Sequence, residues 1–253
     1  MFTKTLLRKP CPNLVNGITE AKLGTPDYHK ALLQHNRYAD TLRRLGLEVR
    51  ILEADNRFPD SVFVEDVAVC TSKMAIITRP GAASRSGETA AIKNTLHSYF
   101  NQLESIAPGG TLDGGDVMMV GAHFYIGLSD RTNEEGANQF LNILRKYDMD
   151  GTKVTMNDML HLKTGVSYLE NNTLLVSGEF VGHPAFEPFD TITIPPEEAY
   201  AANALWINGT VLIAAGYPAA QEKIEAAGYN TIEVEMSEFQ KLDGGLSCLS
   251  LRF

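Results

Sequence analysis

One thiol, one imidazole and several carboxylates are the residues in this chain best equipped for chemistry. Cys248 lies in Lys241-Leu-Asp-Gly-Gly-Leu-Ser-Cys-Leu-Ser-Leu-Arg-Phe253, five residues from the end, where chains ordinarily fray. Leu246, Leu249, Leu251 and Phe253 surround it, and Gly244-Gly245 comes just before. That pattern predicts a strand over residues 248–253, entered from a tight turn. Free cysteine is among the most buried residue types, so Cys248 taken alone reads as a core residue as readily as a nucleophile. A nucleophilic thiol needs a base or acid beside it, and an imidazole in that role needs a carboxylate to orient it. His161 and Asp113 fit those two roles. Asp60, Glu65 and Asp66 are surplus to such a triad and would leave an anionic pocket. That pocket suits a cation, and a planar guanidinium matches carboxylate geometry best. One histidine among scattered acids is poor spacing for a metal site, so no metal and no cofactor is expected.

Each of these residues also has a plain explanation. Asp60 after Pro59 reads as a turn residue, and Asp113-Gly-Gly-Asp116 as an acidic turn whose glycines permit positive φ. His161 is one of six histidines. What gathers them is a repeat in the elements that must carry them. An apolar hairpin at residues 67–70 and 74–80 is followed by a helical pattern over 88–103 and a run at 103–106. The order recurs with a hairpin at 117–120 and 124–127, a helix over 134–147 and a strand at 153–155. A third hairpin pairs 166–169 with 173–177 and takes its extra strand from 191–194. A fourth pairs 204–207 with 210–213 around Asn208-Gly209, a favoured hairpin turn, with helix 219–227 and strand 231–235.

The residues before these hairpins, Asp66, Asp116, Gly165 and Asn203, are spaced 50, 49 and 38 apart. A fifth unit begins near Ser247 with only one strand left in the chain. Residues 4–8, the helix over 28–45 and the strand 48–52 complete it from the N-terminus. Periods of roughly 20–50 residues signal solenoids or propellers, and a unit shared by both chain ends predicts a closed ring without free edges. The fold class expected is therefore α/β, a five-bladed propeller of ββαβ units over residues 1–253. An ordinary α/β sheet is the alternative. The links between units should face one end of the ring axis. They carry Asp60, Glu65 and Asp66; then Asp113 and Asp116; then His161; and finally Cys248.

The formal net charge of −9, from 22 basic and 31 acidic residues, comes without a basic stripe. Nucleic acid is thus an improbable partner, whereas a small cation is a natural one. No apolar run is long enough for a signal peptide or a membrane span. Three cysteines, Cys11, Cys70 and Cys248, have neither disulfide-framework nor zinc-ribbon spacing, which points to a reducing, cytoplasmic setting.

Several segments together resemble the dimethylargininase family. They are Phe58-Pro-Asp-Ser-Val-Phe-Val-Glu-Asp-Val-Ala68, Ile77-Thr-Arg-Pro-Gly81, Thr111-Leu-Asp-Gly-Gly-Asp-Val117, Leu128-Ser-Asp-Arg-Thr-Asn133, Leu160-His-Leu-Lys163 and the terminal Leu-Ser-Cys248. The resemblance implies the guanidine-modifying (pentein) fold and hydrolysis of Nω-methylated arginines to citrulline and a methylamine. It places the nucleophile at Cys248, the acid/base at His161 and the orienting acid at Asp113. The guanidinium-facing carboxylates fall at Asp60 and Asp66, with Glu65 beside them. Arg85 and Arg131 would hold the substrate's amino-acid end, Ile18 lies in a covering N-terminal loop, and Leu242 contributes a backbone carbonyl. Arginine and agmatine deiminases share the Gly-Gly-Asp element but typically carry His-x-Asp, where this chain reads His161-Leu-Lys163. That difference favours a pocket with room for methyl groups. The alternatives are an arginine deiminase, a hydrolase of citrulline or another guanidino or ureido compound, or a non-catalytic propeller that binds without turnover. Either a monomer or a homodimer is compatible with the sequence.

Overall fold

The computed structural model describes residues 1–253. Fifteen strands form five three-stranded sheets, each an antiparallel pair whose second strand also runs parallel to a third. The first sheet holds β3 (Ala68–Cys70), β4 (Ala75–Ile77) and β5 (Leu103–Ser105). The second holds β6 (Val117–Val120), β7 (His123–Leu128) and β8 (Asp150–Thr155). The third holds β9 (Val166–Tyr168), β10 (Thr173–Val176) and β11 (Asp190–Thr193), and the fourth β12 (Leu205–Ile207), β13 (Thr210–Ala214) and β14 (Asn230–Val234). In the fifth, β1 (Lys4–Arg8) lies between β2 (Glu48–Leu52) and β15 (Leu251–Arg252). Thr5 faces Arg252 and Leu6 faces Leu251 across the two ends of the chain. The shared blade expected from the repeat is therefore the one that closes the ring.

Five separate apolar clusters hold the blades together, one at each blade-to-blade junction. Ile76 of the first blade meets Phe124 and Phe140 of the second, and Met118 and Val154 of the second meet Val166 and Leu174 of the third. Leu175 of the third meets Val211 and Ile213 of the fourth, and Leu212 and Val234 of the fourth meet Leu7 and Leu47 of the fifth. Leu6 and Leu251 of the fifth then meet Val67 and Ile77 of the first. Five junctions for five blades leave no open side, so no blade stands as an end.

The helices are α1 (Tyr28–Arg44), α2 (Thr89–Leu96), α3 (Glu134–Arg145), the single turn α4 (Leu162–Gly165), α5 (Pro218–Ala226) and the short α6 (Ser237–Gln240). In α1 the Asp27 side chain accepts the Lys30 backbone N–H at 3.0 Å, and Arg43 and Arg44 occupy the last turn. Both features oppose charge to the ends of the helix dipole. Its buried residues Ala31, His35, Tyr38, Ala39 and Leu42 recur at helical spacing and turn one face to the core. Asn133 caps α3 in the same way, accepting from Gly136 N at 2.7 Å. No helix is long and apolar enough to cross a membrane.

The structure departs from the sequence expectations in three places. The helix expected over 88–103 is only α2, preceded by a tighter helical stretch, Ala83–Glu88. The third blade has two short turns, Gly178–Phe180 and Pro184–Phe186, in place of a helix. The strand expected at 248–253 is only Leu251–Arg252, because Ser247–Leu249 forms a turn of 3-10 helix. Every blade repeats this last feature, entering its first strand from a helical turn. The other turns are Val64–Val67, Gly114–Asp116, α4 and the longer Pro196–Ala202. The 64–67 turn touches those at 114–116 and 247–249, and α4 touches those at 114–116 and 196–202. Ser247 N donates to Asn203 Oδ1 at 2.9 Å and links the last pair. The five turns thus cap one end of the axis. Below them a cavity of about 370 Å³ runs along the axis, with residues from the first strands of all five blades, among them Val69, Met118, Ser167, Leu205 and Leu251, on its wall.

Candidate active site

The cap of helical turns brings the chemistry-bearing residues to one place. His161 immediately precedes α4 in extended conformation (φ −140°, ψ 157°), which turns its ring toward the neighbouring 114–116 turn. There His161 Nε2 lies 3.1 Å from Asp113 Oδ2. Asp113 is held in turn: its Oδ1 accepts Gly81 N–H at 2.8 Å, and its own N–H donates to Thr132 Oγ1 at 3.1 Å. Cys248 shares a small hollow with His161, lined also by Glu65, Lys163, Tyr200, Asn203 and Ser247. The sulfur is half-buried, and Gly245 N–H donates to it at 3.4 Å. The Cys248–His161 juxtaposition expected from the chain order is thus present, but the cysteine is carried on a helical turn rather than on a strand.

Charge around the two groups is lopsided. Burial pushes the His161 imidazole toward its neutral form, yet the carboxylates of Asp116, Asp66 and Asp113 outweigh burial and lift its pKa to about 9. Burial, together with Glu65 and Asp66, pushes the Cys248 thiol up to about 12. The free site therefore rests near neutral pH as a thiol beside an imidazolium, with buried carboxylates around them. A bound cation would offset those same carboxylates and bring the thiol down.

The acids are not equivalent. Asp66 Oδ2 takes the Arg85 guanidinium at 2.5 Å and Oδ1 accepts Gly115 N–H at 3.0 Å; although burial opposes it, the His161 and Arg85 charges hold its carboxyl below the usual range. Asp60 is pushed up by burial, despite the nearby Arg85 and Arg131 charges, and its Oδ1 accepts Ile18 N–H at 3.0 Å. A Cβ at Gly17 would sit 2.8 Å from that oxygen, so the chain can lie this close to Asp60 only with glycine there. Glu65, grouped in the sequence with the guanidinium-facing acids, is taken up by cations of the protein itself. Its Oε1 receives Lys163 Nζ at 2.5 Å and Arg252 Nη2 at 2.8 Å, and its Oε2 receives the Ser247 hydroxyl at 2.5 Å.

The two arginines also differ. Arg85 is buried and donates through Nε and Nη2 to both Glu88 oxygens, through Nη2 also to the Phe63 and Asp60 carbonyls, and through Nη1 to Asp66. Of its five donors, one Nη1 hydrogen is left over. Arg131 is half-buried, and its backbone N–H is fixed by Ser129 Oγ at 3.0 Å. Leu242 is buried, and its side chain would lie 3.3 Å from a Cβ at Gly17. The N-terminal segment that carries Ile18 is strapped to the same loop. Thr19 Oγ1 donates to the Lys241 carbonyl at 2.8 Å, and Glu20 N–H to Asp243 Oδ2 at 2.7 Å.

Sequence reasoning did not single out Lys163, Ser247 or Asn203 as parts of the site. Asn203 donates to Lys163 O and to Ser247 Oγ, at 2.8 and 3.0 Å. Its place at the head of the fourth hairpin, equivalent to Asp66 and Asp116, was the available signal. Asp66, Asp113 and His161 offer ligand atoms within 4.8 Å of one another; of these, the Asp66 oxygens receive Arg85 and Gly115, and the Asp113 oxygens receive Gly81 N–H and face His161 Nε2.

Residues 24–241 match the family model described as N,N dimethylarginine dimethylhydrolase, eukaryotic. The chain is 53% identical over 254 residues to an N(G),N(G)-dimethylarginine dimethylaminohydrolase of Pseudomonas aeruginosa, covering all of both chains. It is 34% identical to the protein of the same name from Streptomyces coelicolor, over 98% of this chain and 96% of that one. A solved structure of the Pseudomonas aeruginosa protein, a cysteine-to-serine variant complexed with citrulline, superposes with a TM-score of 0.99 at 52% identity over the whole of both chains. A dimethylarginine dimethylaminohydrolase adduct with S-methyl-L-thiocitrulline, in a histidine-to-glycine variant, gives 0.98 at 52% identity, again over the whole of both chains. The N-terminal domain of ArgZ, an arginine dihydrolase, shares the fold at 19% identity, with a TM-score of 0.88 over 98% of this chain and 97% of that one.

Proposed function

The chain belongs to the N,N-dimethylarginine dimethylhydrolase family, and on that premise we propose that it hydrolyses Nω-methylated arginine to citrulline and a methylamine through a covalent intermediate on Cys248. The observation that carries the assignment of roles is the hollow shared by the Cys248 sulfur and a His161 ring paired with Asp113 at 3.1 Å.

The substrate guanidinium enters as the cation that the carboxylates of Asp66 and Asp60 face, and Arg85 keeps the Asp66 carboxylate aligned. Arg131 and the spare Nη1 hydrogen of Arg85 receive the α-carboxylate, with Ile18 and the Leu242 carbonyl closing over the amino-acid end. The bound positive charge lowers the cost of the thiolate, which the empty site disfavours, and the thiol proton leaves to solvent. The Cys248 thiolate attacks the central guanidinium carbon, and the bond from that carbon to the dimethylamino nitrogen breaks. The departing amine leaves with the proton of the His161 imidazolium, so the leaving group is neutral. A thiouronium remains on sulfur. Neutral His161, oriented by Asp113, then takes a proton from water as the water adds to the same carbon. The C–S bond then breaks as the added hydroxyl gives its remaining proton to the departing sulfur, returning the Cys248 thiol beside the imidazolium and releasing citrulline. Lys163 and Arg252 neutralise Glu65 beside the sulfur, so that of these acids Asp66 and Asp60 are left to face the guanidinium.

Incubation of the purified protein with asymmetric dimethylarginine should release citrulline and dimethylamine in equal amounts. Citrulline with ammonia from unmethylated arginine, and none from the methylated compound, would make it a deiminase instead. No product from either would leave a binding protein.

A further inference from the structure

Asp116 is fully buried and belongs to the same Gly-Gly-Asp turn as the 114–116 cap, yet it touches neither the Cys248 hollow nor the paired ring nitrogen of His161. Its carboxylate has three donors. Oδ1 accepts Leu162 N–H at 2.9 Å; Oδ2 accepts the Thr132 hydroxyl at 2.6 Å and the Ser129 hydroxyl at 2.7 Å. Each donor leads to a different part of the site. Leu162 follows His161 directly. Thr132 Oγ1 itself accepts the N–H of Asp113, the partner of the imidazole. Ser129 Oγ accepts the N–H of Arg131. The β7 strand makes room for this hub, because a Cβ at Gly127 would stand 3.2 Å from Asp116 Oδ1 and 2.9 Å from Leu162 Cβ.

We propose that Asp116 is a positioning residue of the reaction: its carboxylate ties the segments of His161, Asp113 and Arg131 to one point and supplies a fixed negative charge behind the imidazole. This inference rests on the reading of His161 as the acid that protonates the leaving amine. That acid must hold its proton until the carbon–nitrogen bond breaks. The charged and titratable groups around the ring come from every element packed on it. They are Asp113 and Asp116 from the 114–116 turn and its flank, Asp66 with its Arg85 partner from the 64–67 turn, Glu65 with Lys163 in the shared hollow, Tyr200 and Asp243 on that hollow's wall, and Cys248 from the 247–249 turn. After burial, which acts the other way, Asp116 is the largest influence on the ring. A neutral group at position 116 would leave Asp113 to orient the imidazole but remove the strongest support for its proton.

The test is NMR titration of labelled histidine in the free, folded protein, which does not depend on turnover. In Asp116→Asn the His161 pKa should fall by at least about one unit, a tenfold loss of proton affinity, and the alkaline limb of kcat should move to lower pH. Thr132→Val keeps the charge and removes one tether, so it should move the titration less and instead weaken the His161–Asp113 coupling. If Asp116→Asn is folded and His161 titrates as in the parent, the inference is wrong. If Asp116→Asn does not fold, Asp116→Ser, which also removes the charge, must still lower the His161 pKa, and an unchanged value would overturn the proposal. A shifted titration in a protein that never releases citrulline would instead count against the hydrolase reading and leave Asp116 in its role.

Discussion

Gly115 has no room for a side chain, since an added Cβ would lie 2.9 Å from His161 Cγ and Nδ1 and 2.9 Å from Asp66 Oδ1. Gly115→Ala should therefore push the imidazole off Asp113 and lower kcat/KM by about a hundredfold, while circular dichroism stays that of the parent. Parent-like activity would mean that the ring position does not matter. The pH dependence follows from the imidazolium. With a folded pKa of about 9, His161 keeps its proton across neutral pH and loses it above that value. With the charged ring proposed as the acid for amine departure and the thiol already deprotonated in the substrate complex, kcat should decline on the alkaline side as His161 loses its proton, and a kcat that stays flat up to about pH 10 would remove His161 from that step. At this scale the sequence was informative about types and poor about pairing. Cys248, His161 and Asp113 could be grouped because a thiol, an imidazole and a carboxylate complement one another, and the fold pairs His161 with Asp113 and opens one hollow onto His161 and Cys248. Nothing in the order of the chain reveals that Glu65 is taken by Lys163 and Arg252, partners 98 and 187 residues away, or that Asp116 faces the back of the imidazole segment.

The elements were legible wherever period and turn chemistry agreed. Strand β1, strand β2 and helix α1 fall within a residue of their expected ends, and the Asn208-Gly209 turn has the positive φ values, 49° and 97°, that its sequence demands. The 3-10 turns were not legible, because three-residue turns carry no period of their own and lie within runs that read equally well as strand. Helix α1 holds the least comfortable residue in the fold. His35 is fully buried, neither ring nitrogen has a hydrogen-bond partner, and burial pushes its pKa down to about 4. The unfolded chain takes up this proton near pH 6.5 and the folded protein only near 4. Stability is thus complete above 6.5 and falls as the pH drops between those values, by about 3 kcal/mol for a shift of this size. His35→Leu should flatten the acid side of the Tm-against-pH curve and leave the protein no less stable at pH 7. An unchanged acid limb would place the acid sensitivity elsewhere.

For the molecule as a whole, the proposed nucleophile and the closure of the ring depend on the same last seven residues. Cys248 sits three residues before β15, whose pairing with β1 is reinforced by the Thr3 and Lys4 N–H groups donating to the Phe253 carbonyl at 3.0 and 2.8 Å. Leu251 is buried where the fifth blade meets the first. Leu251→Ala should cost roughly 2–4 kcal/mol and lower Tm accordingly. It should also depress turnover at temperatures where the rest of the chain is still folded, because the blade that opens is the one carrying the sulfur. Equal midpoints for activity loss and global unfolding would argue that the ring fails all at once. Closure was visible in the sequence as a unit split between the two termini, whereas the axial cavity beneath the cap was not, since it is set by how the five junctions pack. The identity of the nucleophile can be tested most directly. Acid-quenched protein taken during turnover of asymmetric dimethylarginine should gain the mass of the substrate less dimethylamine, located on the peptide that contains Cys248, and Cys248→Ser should bind substrate yet form neither adduct nor citrulline. An adduct on another residue, or citrulline released by Cys248→Ser, would contradict it.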